Sequence, residues 1–186
     1  PLSMHLGAPA NAIVQVGDYV KMGQKIGEAA GFISAPVHSS VSGKVIAIQD
    51  LPHATRGTCP AIVIESDGLQ TVAETVTPPT VTNRDELMTA LKESGMVGLG
   101  GAGFPTYAKM SEKAEYIILN CAECEPYITS DYRECMESFE DIIDGVYLIK
   151  DILKVENVVI GVEANKKKAI EKLYQIATDK RDSEDK

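Results

Sequence analysis

Gly98-Leu99-Gly100-Gly101-Ala102-Gly103-Phe104-Pro105-Thr106, followed by Lys109, decides how the second half of this 186-residue chain is read. Four glycines within six residues leave backbone N–H groups uncovered and admit positive φ, which suits close approach to a phosphate. Pro105 is placed to open a new helix at its first position, where the missing N–H costs nothing. Asn120-Cys121-Ala122-Glu123-Cys124-Glu125-Pro126 comes next, directly after an apolar run. Together the two stretches point to a nucleotide site rather than a turn. Gly98, Gly100 and Gly103 also satisfy G-x-G-x-x-G, with Glu123 twenty residues past the last glycine. That dinucleotide fingerprint follows a strand, whereas the segment before this loop reads as a helix. Asn83 is its N-cap, Glu86 closes a capping box, and Leu87, Met88 and Leu91 form one face up to a stop at Gly95.

Working outward toward the C-terminus, Tyr116–Leu119 reads as a short buried strand. Asp131 is placed to cap a long helix in which Met136, Phe139, Ile143, Val146 and Ile149 recur at helical spacing. Asn157–Val162 reads as a second buried strand and Lys166–Thr178 as an amphipathic helix. Strand, helix, strand, helix implies a parallel α/β layer with two of its strands present. The tail 179–186 mixes charges of both signs and reads as flexible.

Toward the N-terminus the pattern changes. Residues 1–70 read as all-β: Ala12–Val16, Tyr19–Val20, Lys44–Ile48 and Ala61–Glu65 are short β-branched stretches punctuated by glycine. Val16–Ile26 makes a turn between two of them, and Ser34–Val37 with Val41–Val45 returns the chain. His38 and His53 read as surface or turn residues. Residues 71–82, rich in Thr, Val and Pro, read as a linker. The expectation is therefore an α+β chain in two parts, a β domain over 1–70 and a partial α/β domain over 83–178.

Bulk properties narrow the function. A formal net charge of −9 without a Lys/Arg block argues against nucleic-acid binding. No apolar run approaches the roughly 18 residues of a spanning helix. Four cysteines, at 59, 121, 124 and 135, do not make a disulfide scaffold and suit a reducing cytoplasm. Cys121 and Cys124 remain open as a metal or redox pair, with no metal site expected. Opening at Pro1, the chain reads as a piece of something longer, with attachment to a membrane through partners left possible.

Two resemblances follow from these residues. Val16-Gly-Asp-Tyr-Val-Lys-Met-Gly-Gln24, then Ala35-Pro36 and Gly43-Lys-Val45, resembles the barrel-sandwich hybrid domains of lipoyl and biotinyl carriers. Those carriers present a modifiable lysine at a hairpin tip between the motifs, and Gly27–Ser42 contains none. A structural or docking module is expected instead. The glycine loop with Lys109, and Asn-x-x-Glu-x-Glu-Pro after it, resembles the FMN- and NADH-binding subunit of respiratory complex I. Leu99 stands where that family carries arginine and Ala122 where it carries aspartate. A lysine-free carrier-like domain followed by these motifs resembles the RnfC family, peripheral subunits of the Rnf ion-translocating electron transport complexes, over essentially the whole chain.

The resemblance implies FMN and NADH as cofactors, with [4Fe–4S] clusters only in a C-terminal part beyond these residues. It assigns Gly98, Gly100, Gly101 and Gly103 to the FMN phosphate and ring edge. Phe104 and Lys109 would flank flavin and NADH, Asn120 and Glu123 would contact the isoalloxazine or ribityl chain, and Glu125 the nicotinamide side. Lysine offsets phosphate charge, and carboxylate and amide groups orient the polar edges of stacked rings. Hydride transfer needs no acid or base, so no catalytic residue is named. The implied role is a membrane-associated NADH:ferredoxin-type oxidoreductase subunit, peripheral on the cytoplasmic face, with other Rnf subunits as partners that couple it to ion transport. The fragment alone is expected to be inactive. Alternatives are a cobalamin reductase-like flavoprotein and a docking scaffold without redox cofactor.

Overall fold

A computed structural model describes residues 1–184, with side chains over 1–178. The tail expected at 179–186 falls outside the residues whose side chains are described. Two compact units divide the chain, Pro1–Lys113 and Ala114–Lys186.

In the first unit, β1 (Asn11–Ala12), β3 (Lys25–Glu28) and β4 (Val37–His38) form one antiparallel sheet in the order β1-β3-β4. β2 (Tyr19–Val20), β5 (Gly43–His53) and β6 (Gly57–Ser66) form another in the order β2-β5-β6. Short strands rich in β-branched residues suit a pleated surface covered on one side. Leu2, Ala10, Val20, Ile26, Val37 and Val45 make the buried core, drawn from both sheets. Val20 and Val45 are wholly enclosed. A mainly aliphatic, Trp-free composition is thus enough for this layer.

The connection between β3 and β4, where carriers present their lysine, is tied down here. The Tyr107 hydroxyl donates to the Phe32 carbonyl, and the two rings meet edge to face with centroids 5.8 Å apart. Ser34 Oγ donates to Ala8 O at 2.9 Å, and the Ala35 N–H donates to His5 Nε2 at 3.1 Å. A hairpin held at three points does not swing. After β6 the chain stays on the barrel: the Met22 N–H donates to Thr71 O and the Ala73 N–H to Met22 O, both at 2.9 Å.

Helix α1 (Arg84–Glu93) starts and stops where the sequence says. Asn83 Oδ1 accepts from the Glu86 N–H at 3.0 Å. The reciprocal half of the box differs: the Glu86 carboxylate accepts from the Thr82 N–H and hydroxyl, at 2.8 and 2.7 Å, one residue earlier than expected. Thr82 offers two donors, which outcompete the single N–H of Asn83. At the other end Gly95 sits at φ +68° while the Met96 N–H reaches back to Leu91 O, a Schellman stop.

The second unit holds β7 (Tyr116–Cys121) and β8 (Asn157–Val162), paired parallel from Tyr116–Asn157 to Cys121–Val162. α3 (Ser130–Glu137), α4 (Phe139–Leu153) and α5 (Lys167–Glu184) supply its helices. The expected single long helix is two. Ser138 leaves the helical region at φ −117° and ψ 31°, and the Met136 carbonyl, freed at the break, accepts from Lys172 Nζ at 2.6 Å. The hydrophobic stripe runs on across the break, which is why spacing alone conceals it. Asp131 lies in the first turn of α3, and the cap position is Thr129. Nor are the strands buried on both faces. Leu119 and Ile160 pack on the core of Cys121, Cys135, Phe139, Ile143, Ala169 and Leu173, while Tyr116, Ile118 and Val159 are exposed. An all-apolar strand reads as doubly covered, but among the described residues only one face of this sheet is covered.

Candidate functional site

The glycine loop is closed at its base and open at its tip. Val97 pairs with Pro105, the Gly98 N–H donates to Phe104 O at 3.0 Å, and the Gly103 N–H to Gly98 O at 3.2 Å. Pro105 is buried and sits at the N-cap, one residue ahead of its expected place, because its carbonyl accepts the first N–H groups of α2 (Thr106–Met110). Between these anchors, the N–H groups of Leu99, Gly100, Gly101 and Ala102 donate to no acceptor among the described residues.

The glycines fall into two kinds. Gly103 has φ +70°, and a Cβ there would stand 3.0 Å from His5 Cα, so the fold itself demands glycine. Gly100 and Gly101 have neither constraint: their φ lies outside the left-handed region, and a Cβ at either would meet nothing within 4 Å. Glycine at these two positions keeps an open surface lined with donors, which fits a phosphate-bearing cofactor. Phe104 is half-buried beside the loop and Lys109 is exposed on α2.

Asn120, Glu123 and Glu125 lie in the second unit, on the end of β7 and the connection to α3. Asn120 is exposed and its Oδ1 accepts from the Ala122 N–H at 3.2 Å, an Asx turn that bends the chain off the strand. Glu125 is exposed. The Glu123 side chain is 4% exposed and both its oxygens are engaged. One accepts from the Asp131 N–H at 3.1 Å, satisfying an orphan donor at the start of α3, and the other from Lys166 Nζ at 3.0 Å. That carboxylate holds the Lys166 ammonium above the usual lysine range. Lys166 also stands 5.2 Å over the Tyr132 ring. The sequence places Lys166 only at the start of an amphipathic helix, and no local spacing reveals this brace to Glu123. Tyr127, in the same connection, is fully exposed with φ +66°.

Cys121 pairs with Cys135 rather than with Cys124. The two buried thiols share one core cluster, and burial, followed by the neighbouring Cys135, pushes Cys121 up to about 12. Among the described residues no His, Cys, Asp or Glu group of three or more is arranged to hold a metal. Cys124 alone is exposed. A thiol reagent on the folded protein should therefore find one fast sulfhydryl, removed by Cys124→Ser, with Cys59, Cys121 and Cys135 reacting only on unfolding. Two fast equivalents would contradict this burial. Because the folded Cys121 value lies above the ordinary thiol range of about 8.5, its contribution to stability is intact below that range. It is lost as pH rises toward 12, so the urea midpoint should fall over that interval.

An open glycine loop lined with N–H donors, with a β domain in front of it, is the class of arrangement these residues define, and comparison with known proteins gives the family. The chain belongs to the Nuo51 FMN-binding domain family, whose model matches residues 91–185. Residues 1–69 match the RnfC barrel sandwich hybrid domain, so the pairing is the RnfC arrangement. The C subunit of the proton-translocating ferredoxin:NAD(+) oxidoreductase complex of Clostridium ljungdahlii is 45% identical over 180 residues, 92% of this chain and 39% of that protein. The Na(+)-translocating counterpart from Acetobacterium woodii is 43% identical over 182 residues, covering 94% and 41%. The corresponding protein of the ion-translocating oxidoreductase complex of Pseudomonas aeruginosa is 40% identical over 178 residues, covering 91% and 23%. The chain thus spans about two fifths or less of the length of these relatives. None of its described helices is long and apolar enough to cross a membrane.

Proposed function

We propose that this chain is a part of the electron-input subunit of an Rnf complex, passing electrons between NADH and ferredoxin through FMN and, outside these residues, [4Fe–4S] clusters. The observation that carries this is the pair Gly100 and Gly101, which the fold does not require, beside four consecutive N–H groups without acceptors among the described residues. FMN, when bound, accepts two electrons as hydride and releases them singly. In this reading Gly98, Gly100, Gly101 and Gly103 hold its phosphate and ring edge, and Phe104 and Lys109 flank flavin and NADH. Asn120 and Glu125 address the isoalloxazine and nicotinamide sides. Glu123, engaged by Lys166 and the Asp131 N–H, serves the site by fixing the 120–131 connection. The β domain over 1–70 docks rather than carries, since its hairpin tip is tied and lysine-free. The subunit sits peripherally on the cytoplasmic face among other Rnf subunits.

The test is uptake of FMN by the full-length gene product. Bound flavin should show quenched fluorescence and shifted visible bands, and NADH should bleach those bands anaerobically. A full-length protein that takes up no flavin from excess FMN ends this reading.

A further inference from the structure

One cavity in the first unit joins the glycine loop to the barrel. It has a volume of about 230 Å³, and Ser3, His5, His53, Arg56, Leu99 and Gly101 are among the residues that line it. Whole-ligand sites run to roughly 300–1,000 Å³, so a space of this size suits part of a ligand. Three observations say which part.

The first is an orphan. Ser3 is 3% exposed, and its Oγ is buried without a hydrogen-bond partner. A native fold leaves few such groups, and each points to a missing partner. The second is charge. Arg56 projects from the three-residue tip of the β5–β6 hairpin, between paired His53 and Gly57, and its side chain has no partner among the described residues. Neither histidine competes as a donor. The Ala35 N–H donates to His5 Nε2, at 3.1 Å, and the ring's other nitrogen faces Leu6 O at 3.1 Å. The Thr55 N–H donates to His53 Nδ1, and the ring's other nitrogen faces Ser3 O at 3.0 Å. Arg56 is therefore the cation of this cavity. The third is the loop wall, whose Leu99, Gly101 and Ala102 N–H groups lack acceptors among the described residues. Amide donors and a guanidinium-bearing side chain line a small space, with the buried Ser3 hydroxyl in its wall, in a chain of net charge −9. That donor set is made for a phosphate.

We infer that Arg56 and Ser3, supplied by the barrel-sandwich part, form a phosphate subsite together with the glycine loop. Leu99 carries no charge to the loop, and Arg56 delivers it from the hairpin instead. The occupant is a phosphate group, either the monoester of the flavin or the diphosphate of the dinucleotide. This inference rests on the flavin reading above, and it gives the N-terminal domain a direct part in the site.

Arg56 stands on an exposed hairpin tip, so Arg56→Gln and Arg56→Lys should fold as wild type does, with near-identical circular dichroism. In the full-length protein, Arg56→Gln should weaken FMN by about 10–100-fold while leaving riboflavin, which lacks the phosphate, unchanged. Arg56→Lys keeps charge without the fork and should fall between. If the dinucleotide is the occupant, Arg56→Gln weakens NADH by that factor and spares FMN. Ser3→Ala should weaken the same ligand more mildly and raise the apo melting temperature, since it deletes an unsatisfied buried hydroxyl. Wild-type affinity of Arg56→Gln for FMN, riboflavin and NADH alike overturns the subsite and leaves the flavin reading standing. A wild-type protein that binds neither FMN nor NADH overturns both.

Discussion

Phe139→Ala is expected to lower the unfolding free energy by about 3–5 kcal/mol, as large-to-small changes in a closed core do. Phe139 is 1% exposed at the centre of the second unit's core, between Cys135 on α3 and Ile143 a turn along α4. Ser138 ends α3 one residue earlier, so the ring enters the core as α4 begins. Lys172 crosses above it, with Nζ 5.9 Å from the ring while it satisfies the Met136 carbonyl. Removing the ring leaves a hole that helices pinned in this way cannot easily close. Domains are stable by only about 5–15 kcal/mol, so the urea midpoint should fall steeply. Phe32→Ala, at a position 62% exposed, should shift it far less. A Phe139→Ala loss under about 1 kcal/mol would show that the ring is not the keystone of this core.

What the sequence made legible follows from how local each determinant is. The cap at Asn83, the stop at Gly95 and the parallel pairing of β7 with β8 rest on short patterns, and the structure keeps all three. The break at Ser138 was hidden because the apolar stripe that marks a helix passes through it undisturbed. The exposure of Ile118 and Val159 was hidden because an apolar strand does not state how many of its faces are covered. Within the candidate site, residue types in the glycine loop announced an anion cradle. Ser3 and Arg56 did not, since their relevance depends on a fold that sets the N-terminal segment and a hairpin tip against residues some ninety-five and forty positions away. Lys166 escaped for the same reason: its partner Glu123 lies 43 residues earlier. No local spacing rule reaches across such distances, and only the fold supplies the juxtaposition.

Gly101→Val is the substitution that separates ligand from fold most cleanly. At Gly103 the backbone demands glycine, so any side chain there disturbs stability and site together. At Gly101 the backbone is not left-handed and a Cβ meets no protein atom within 4 Å. Valine there should leave the urea midpoint within the roughly 0.5 kcal/mol typical of uneventful surface changes. A ligand would meet it differently. A branched side chain on the donor-lined wall occupies the space a phosphate needs and holds the ligand off the N–H groups of Leu99–Ala102. Each charge-assisted hydrogen bond so lost is worth about 1.5–3 kcal/mol. Two of them amount to at least 100-fold in affinity. FMN fluorescence quenching by the full-length protein should therefore disappear at micromolar concentrations while the melting curve stays put. Undiminished FMN binding by a stably folded Gly101→Val protein would place the flavin elsewhere. It would also leave glycine at 100 and 101 without a physical reason, because nothing in the fold asks for it.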